Sequence, residues 1–570
     1  MKFVPLALAL GAVAFGAPVV TKVEPPNWWI HHTRNPIQVL LTGSGLSGAS
    51  MTSESRAFRV DVRQTSADGK YLFADLNIAA DATPGRYRFR VRSGGVETTV
   101  DFALDAPLLA AGRFQGFTPD DVIYLLMPDR FATTQTVDAV LAYHGGNLRG
   151  IREQLPYLKG LGVTGIWATP IYRNSTPDAS PYHGYHTVDF YDVEPHFGTI
   201  QDFRDLVDAA HQLGMKVVQD QVANHCGPRH PWVAAPPTLT WFHDLDRRPR
   251  LRNNFDIAAL ADPYARPGRL DPPLRGWFAG SLPDFDQTDP LLSDYLIQNA
   301  LWWIGMTGID AIRQDTYPYV DRPFWEQWQS AIDRQYPTFT VTGEITAPTS
   351  AVLSFFEGGT RRRGFDTRLK SMLDFPLEHA IRAVFAEGHP MTELTDVLSQ
   401  DFLYQHPEML VAFLGNHDQP RFLTVAGGDI ARLQMAQAFL LTTRRVPHLY
   451  YGDEIAMGVG TDRTDRTVRA DFPVSAFAGA ASNPEFTFLS DLLRQRAAHP
   501  ALRHGGLVQL LVNKDQYAFL RTSPEERVLV VLNRAGSEKP IELDVNDLHL
   551  PEGPKITIEK PGPITVRALK

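Results

Sequence analysis

Only one cysteine, Cys226, occurs among the 570 residues, so no intramolecular disulfide can form, and a thiol or zinc mechanism has no cysteine cluster to use. A basic surface is missing too. Lysine and arginine number 55 against 64 aspartates and glutamates, a formal net charge of −9, and no long Lys/Arg run offsets that balance locally. Nucleic acid is therefore not an expected partner. No internal stretch approaches the roughly 20 apolar residues that a membrane span requires. Low-complexity tracts and short-period repeats are absent, which excludes solenoids.

What is present is a globular composition, 44% hydrophobic and 21% charged, in a chain long enough for two or three domains. Met1-Lys2-Phe3 opens onto an apolar run over 4–15 that ends in the small residues Ala14, Gly16 and Ala17. Residues 1–16 read as an export signal cleaved near Gly16, so the expected location is periplasmic or extracellular.

From 17 to 108, short alternating runs such as Phe58-Arg59-Val60-Asp61-Val62 and Tyr87-Arg88-Phe89-Arg90-Val91 are separated by turns such as Asp68-Gly69, and predict a β-sandwich. From 109 to 500 buried strand-like runs alternate with helical ones, the rhythm of βα units around a parallel sheet. Eight strands are predicted, at 122–128, 164–169, 216–222, 309–314, 338–343, 371–375, 409–414 and 448–451. The fold class is thus α/β, a (β/α)₈ TIM barrel. Between the second and third strands, Phe203, Leu206, Val207, Ala210 and Leu213 recur at helical spacing behind Thr199 as N-cap, with Gly214 closing the helix. Residues 226–286 are too long for a simple connection and predict a subdomain inserted after strand 3. Trp232, Trp241, Phe242 and Trp277 read as its core. Alternation returns over 501–570, in Tyr517-Ala518-Phe519-Leu520 and Val528-Leu529-Val530-Val531-Leu532, and predicts a C-terminal β-sandwich.

Active sites of such barrels lie at the carboxyl ends of the strands, and four acids fall there: Asp220, Asp315, Glu344 and Asp418. Asp315 ends strand 4 in Gly308-Ile309-Asp310-Ala311-Ile312-Arg313-Gln314-Asp315, and Glu344 ends strand 5 after Thr340-Val341-Thr342-Gly343. Two carboxyls on adjacent strands suit glycosidic bond cleavage with retention, where one attacks the anomeric carbon and the other, ~5–5.5 Å away, protonates the leaving oxygen. Arg313, two residues before Asp315 on a strand, shares its face and is placed to hold the nucleophile as an anion. Glu344 must stay protonated, which calls for burial or neighbouring carboxylates.

The order and local sequence of these acids resemble the α-amylase superfamily of glycoside hydrolases. Tyr182-His183-Gly184-Tyr185, Asn224-His225, Asn416-His417-Asp418 and the stretch 446–454 fit the same pattern. Within it, Val23-Glu24-Pro25-Pro26-Asn27-Trp28-Trp29 and Arg469-Ala470-Asp471-Phe472-Pro473 resemble the cyclomaltodextrinase, neopullulanase and maltogenic amylase group. The resemblance implies an α-glucan hydrolase cleaving mainly α-1,4 bonds in cyclodextrins, pullulan or maltooligosaccharides. It implies Asp315, Glu344 and Asp418 as catalytic acids, Asp418 binding sugar hydroxyls. His183, Tyr185, His225 and His417 are implied on the sugar, Asp220 in support of Arg313 and His225, and Arg421 behind the site.

The chain departs from the family pattern in places. Calcium is frequent in the loop after the first strand, but 131–143 is short and Asn147 stands where Asp is usual, so no cofactor is required and no metal ligands are assigned. Gly415 replaces a common Asp, Thr346 sits where Trp is frequent, and Leu282-Pro283-Asp284-Phe285-Asp286 matches neither pure α-1,4 nor pure α-1,6 enzymes. Bond preference stays open, as does a homodimer. The same acids serve a transglycosylase, and a glucan-binding barrel without catalysis is the rival from another class.

Overall fold

The computed structural model describes residues 17–135, 137–174, 181–246, 249–458, 464–536 and 539–569. The expected export signal, 1–16, lies outside them. Every predicted barrel strand forms: Ile123–Leu126, Gly165–Ala168, Lys216–Gln221, Ala311–Gln314, Thr340–Gly343, Ser371–Met372, Val411–Phe413 and Val446–Tyr450. Each pairs in parallel with its sequence neighbour, and the eighth returns to the first. Between the sixth and seventh only a single bridge, Leu373 to Val411, closes the barrel, with Asp374 N donating to Val411 O at 2.8 Å. Both faces of a parallel sheet are covered, which is why these strands are apolar runs rather than alternations.

The helix predicted between the second and third strands spans Ile200–Gln212. Thr199 and Asp202 form a reciprocal capping box at its start, and Gly214 takes a left-handed φ of 67° just past its end. A different logic governs Pro290–Thr307, which is buried nearly all round. A helix apolar on every side must be covered on every side. The barrel covers one flank and the N-terminal sheets the other: Trp302 donates to Asn27, Tyr295 to Glu24, and the Gln298 side-chain amide accepts from Gln38 N at 2.7 Å and donates to Gln38 O at 2.8 Å. Among the described residues no helix is long and apolar enough to cross a membrane.

The N-terminal region forms two four-stranded sheets whose facing side chains, among them Leu41, Leu72, Phe89 and Phe102, are buried. The C-terminal region has one four-stranded sheet and the pair Ile541–Asp544 with Lys555–Ile558. The described residues of the inserted stretch carry three short helices, Pro231–Ala234, Ile257–Ala261 and Pro267–Arg275. Trp232, Trp241, Phe242 and Trp277 are all buried and pack as its core.

Candidate active site

The inserted stretch reaches the barrel mouth through a short strip. Cys226 N donates to Pro283 O and Phe285 N to Asn224 O, which lays 283–285 along the loop after the third strand. His243 then bonds Asp284 at 2.8 Å and Asp286 at 3.3 Å, and Asn224 Nδ2 donates to Asp284 at 3.2 Å. Burial works against a charged imidazole here, but the bonds from both carboxylates outweigh it and raise the His243 pKa to about 9. Removing one partner of a buried charge pair strands the other. His243→Leu should therefore cost about 3–5 kcal/mol of stability. Urea unfolding of the variant measures this; an unchanged midpoint would show that the pair is dispensable.

At the strand ends the acids converge on one cation. Arg313, on strand 4 and 1% exposed at its side chain, donates through Nη1 to Asp220 Oδ1 and Asp315 Oδ1, both at 2.8 Å, and its Nη2 lies 2.8 Å from Glu344 Oε2. The strand register explains the convergence: Asp220 faces Arg313 across the third and fourth strands, while Asp315 N and Glu344 N bond the carbonyls of Gln221 and Gln314. Thr316 completes the arrangement. Its Oγ1 donates to Asp315 Oδ2 at 3.0 Å and its N–H to Glu344 Oε2 at 2.9 Å. It does so at φ 47°, a left-handed conformation costly for a β-branched residue and held only by its surroundings.

Burial pushes the Glu344 carboxyl up to about 8; Arg313 and the Thr316 N–H pull the other way, and Asp315 and Asp418 add to the rise. Glu344 is thus protonated at neutral pH although it touches a guanidinium, because desolvation is the larger effect. Asp418 sits in the opposite electrostatic setting. Its side chain is 45% exposed at the mouth of the barrel; partial desolvation there would raise its pKa, but His417 and Arg469 carry it below the usual value, with Arg469 Nη2 at 2.9 Å and His417 Nε2 at 3.2 Å.

Around this centre stand the predicted sugar-binding residues. Tyr185 donates to Asp220 Oδ2 at 2.9 Å, touches His417 Nε2 at 2.8 Å and stacks on its ring at 5.5 Å between centroids. His183 lies beside it and accepts the Tyr185 N–H on Nδ1 at 3.1 Å. Gly184 makes that turn feasible: its φ is 93°, and a Cβ there would come within 2.0 Å of Pro170 O. His225 stacks on Phe278 at 5.4 Å, and its buried Nε2 has no hydrogen-bond partner among the described residues. Burial holds His225 below its ordinary pKa and His417 near 4, so both are neutral at working pH.

One expected role is corrected. Asp220 does not reach His225, because its oxygens are taken by Arg313, Tyr185 and Trp167 Nε1, and the neighbour of His225 Nδ1 is Asn224 at 3.3 Å. His225 lies beyond the strand on a loop, whereas Asp220 is still inside the barrel. Arg421, expected behind the site, is buried and donates to Tyr451 O at 2.7 Å and Thr467 O at 3.2 Å, which supports the loop after the eighth strand. Three contributors went unassigned in the sequence: Thr316, Trp167 and Arg469. Arg469 was visible as part of Arg469-Ala470-Asp471-Phe472-Pro473, but nothing in that string says that it reaches Asp418.

Beside Glu344 opens a cavity of about 240 Å³ lined by Phe255, Phe278, Thr316, Tyr319 and Thr346. In the loop after the first strand, Asp129 accepts His144 N at 2.8 Å and Arg130 Nε at 2.8 Å, Arg130 Nη2 takes the carbonyls of Val140 and Ala142, and Asn147 caps a helix.

Residues 125–483, more than half of the chain, match the model of the α-amylase catalytic domain. The chain belongs to the α-amylase family. Residues 22–106 of this α-amylase family member also match the cyclomaltodextrinase N-terminal domain. A cyclomaltodextrinase of Geobacillus thermopakistaniensis is 28% identical, over 85% of this chain and 84% of that one. Neopullulanase 2 of Thermoactinomyces vulgaris is 29% identical over 74% and 71%. Among solved structures, an α-amylase of Geobacillus thermoleovorans complexed with acarbose superposes with a TM-score of 0.66 at 29% identity, covering 79% of this chain and 96% of that one.

Proposed function

We propose that this family member is an exported, retaining α-glucan hydrolase acting on cyclodextrins, pullulan or maltooligosaccharides, with Asp315 as nucleophile and Glu344 as acid/base. The observation that carries the reading is the single guanidinium of Arg313 holding Asp315 and Glu344 on its two terminal nitrogens, each at 2.8 Å. That arrangement suits carboxyls ~5–5.5 Å apart, the spacing of double displacement.

In the first step a carboxylate oxygen of Asp315 forms a bond to the anomeric carbon as the bond to the leaving oxygen breaks, and Glu344 passes its proton to that oxygen. In the second, water attacks the same carbon, its proton goes to Glu344, and Asp315 departs as carboxylate. Two inversions give retention. Asp418, His225 and His417 bind hydroxyls of the sugar at the cleavage point, and Arg469 fixes Asp418.

Incubation with maltotriose tests the hydrolytic reading. Only glucose and maltose, with the α-anomer formed first by NMR, are expected. Products longer than the substrate would turn the reading toward transfer, and initial β-anomer would remove the double displacement.

A further inference from the structure

Asp418 stands on less support than the other two acids. Asp315 and Glu344 directly follow strands 4 and 5, whereas Asp418 lies beyond Phe413, the end of the seventh strand, on a loop. That loop is a tight turn, in which Asp418 N donates to Asn416 Oδ1 at 2.9 Å and Gln419 N to Asn416 O at 3.4 Å. Such a turn fixes its own shape, but its place over the sugar depends on anchors outside it. Arg469 supplies one, donating through Nε to His417 O at 2.7 Å and through Nη2 to Asp418.

A second anchor comes from the helix after the sixth strand. Arg382 Nη2 donates to Pro420 O at 2.7 Å. Proline has no N–H, so its carbonyl is the only main-chain group by which position 420 can be tied. The Nε of the same guanidinium is ion-paired with Glu378, one turn earlier and fully buried. Glu378 Oε2 in turn accepts Gln419 Nε2 at 3.4 Å. The pair thus grips the two residues that follow Asp418. A buried ion pair adds little net stability, because desolvation offsets its attraction. What it fixes here is direction.

The backbone on both sides makes room for this contact. Arg382 stands where the helix Phe375–Ile381 widens into a π turn, Arg382–Ala386. Such turns are rare and recur at functional sites. Opposite it, Gly415 opens the loop, and a Cβ there would come 2.9 Å from Arg382 Nη2. No left-handed φ demands glycine at 415, so space for the guanidinium is what its bare Cα provides.

We propose that Arg382, oriented by Glu378, is a positioning residue for Asp418, clamping the loop after the seventh strand so that Asp418 and His417 meet the sugar in the geometry of the reaction. The role of Asp418 rests on the proposed function; the clamp itself rests on the contacts of Arg382.

Arg382→Met removes the guanidinium and ends the side chain short of Gly415. It should lower kcat on maltotriose ~10–100-fold, the cost of moving a catalytic group by about 1 Å, with KM changed less than about threefold. A double-mutant cycle with Asp418→Asn, read with maltosyl fluoride, separates positioning from general weakening. If Arg382 acts through Asp418, adding Arg382→Met to Asp418→Asn costs less than about twofold. Gly415→Ala keeps every charge and presses on Nη2; it should lower kcat about threefold or more alone and leave it unchanged beside Arg382→Met. Melting temperatures identify a variant that has not folded, and Gly415→Ala then decides. A crystal structure of Arg382→Met needs no substrate and should show Pro420 and Asp418 displaced by about 1 Å, with the Asp418 bond to Arg469 lost. Losses that multiply in the cycle, or a loop that stays in place, would overturn the clamp. Absence of any cleavage by the wild type would remove the hydrolase reading instead, and the loop's position in the crystal would still decide the clamp.

Discussion

Asp315→Ala lowers kcat on maltooligosaccharides by at least ~10⁴-fold, and added azide restores part of the turnover with formation of the β-glycosyl azide. The expectation follows from position. Asp315 accepts one bond from Arg313 and one from Thr316, both holding its carboxylate at the end of strand 4, and neither partner is itself nucleophilic. Alanine leaves a gap beside a fixed cation where a small anion can sit. Azide entering there attacks the face that Asp315 would have attacked, so the product carries one inversion instead of two. Product analysis by NMR reads the anomer directly. An α-azide, or undiminished turnover without azide, would place the nucleophile elsewhere.

Glu344→Gln lowers kcat/KM on the same substrates by ~10²–10⁴-fold, the range of a positioned general acid. The pH profile carries the sharper signature. Burial, with Asp315 and Asp418 adding, raises the Glu344 pKa to about 8 against the opposing Arg313 and Thr316 bonds. A raised carboxyl pKa keeps the proton on below that pH and loses it above. Wild-type kcat/KM should therefore hold to about pH 8 and then fall by about tenfold per pH unit. In Glu344→Gln that alkaline limb disappears. A maltosyl fluoride, whose leaving group needs no proton, should still react in the first step and accumulate a glycosyl-enzyme on Asp315 visible by mass spectrometry, because the second step lacks its base. A limb near pH 8 that survives the replacement would assign it to another group.

The four acids at strand ends were legible because a parallel barrel must bring the carboxyl ends of its strands together, so apolar runs followed by acids already imply a cluster. The inserted aromatic residues were legible as core for a related reason: a short insertion rich in tryptophan has nothing else to bury. Less could be read from loops. Arg421, four residues from His417 in sequence, turned away to hold the carbonyls of Tyr451 and Thr467, while Arg469, fifty-one residues from Asp418, came back to it. Chain proximity carries no information about direction once a loop has left its strand.

The sequence by itself determined the barrel, its flanking sheets, the family and the place of four acids at the strand ends, because periodicity and strand-end position are local properties. Tertiary structure alone decided which partner each acid keeps. That Glu344 holds its proton beside a guanidinium, that Thr316 is forced left-handed to touch both carboxyls, and that Trp167 takes a share of Asp220 all depend on burial and on contacts between separate strands. Desolvation and hydrogen-bond competition arise only when those strands close around a common centre.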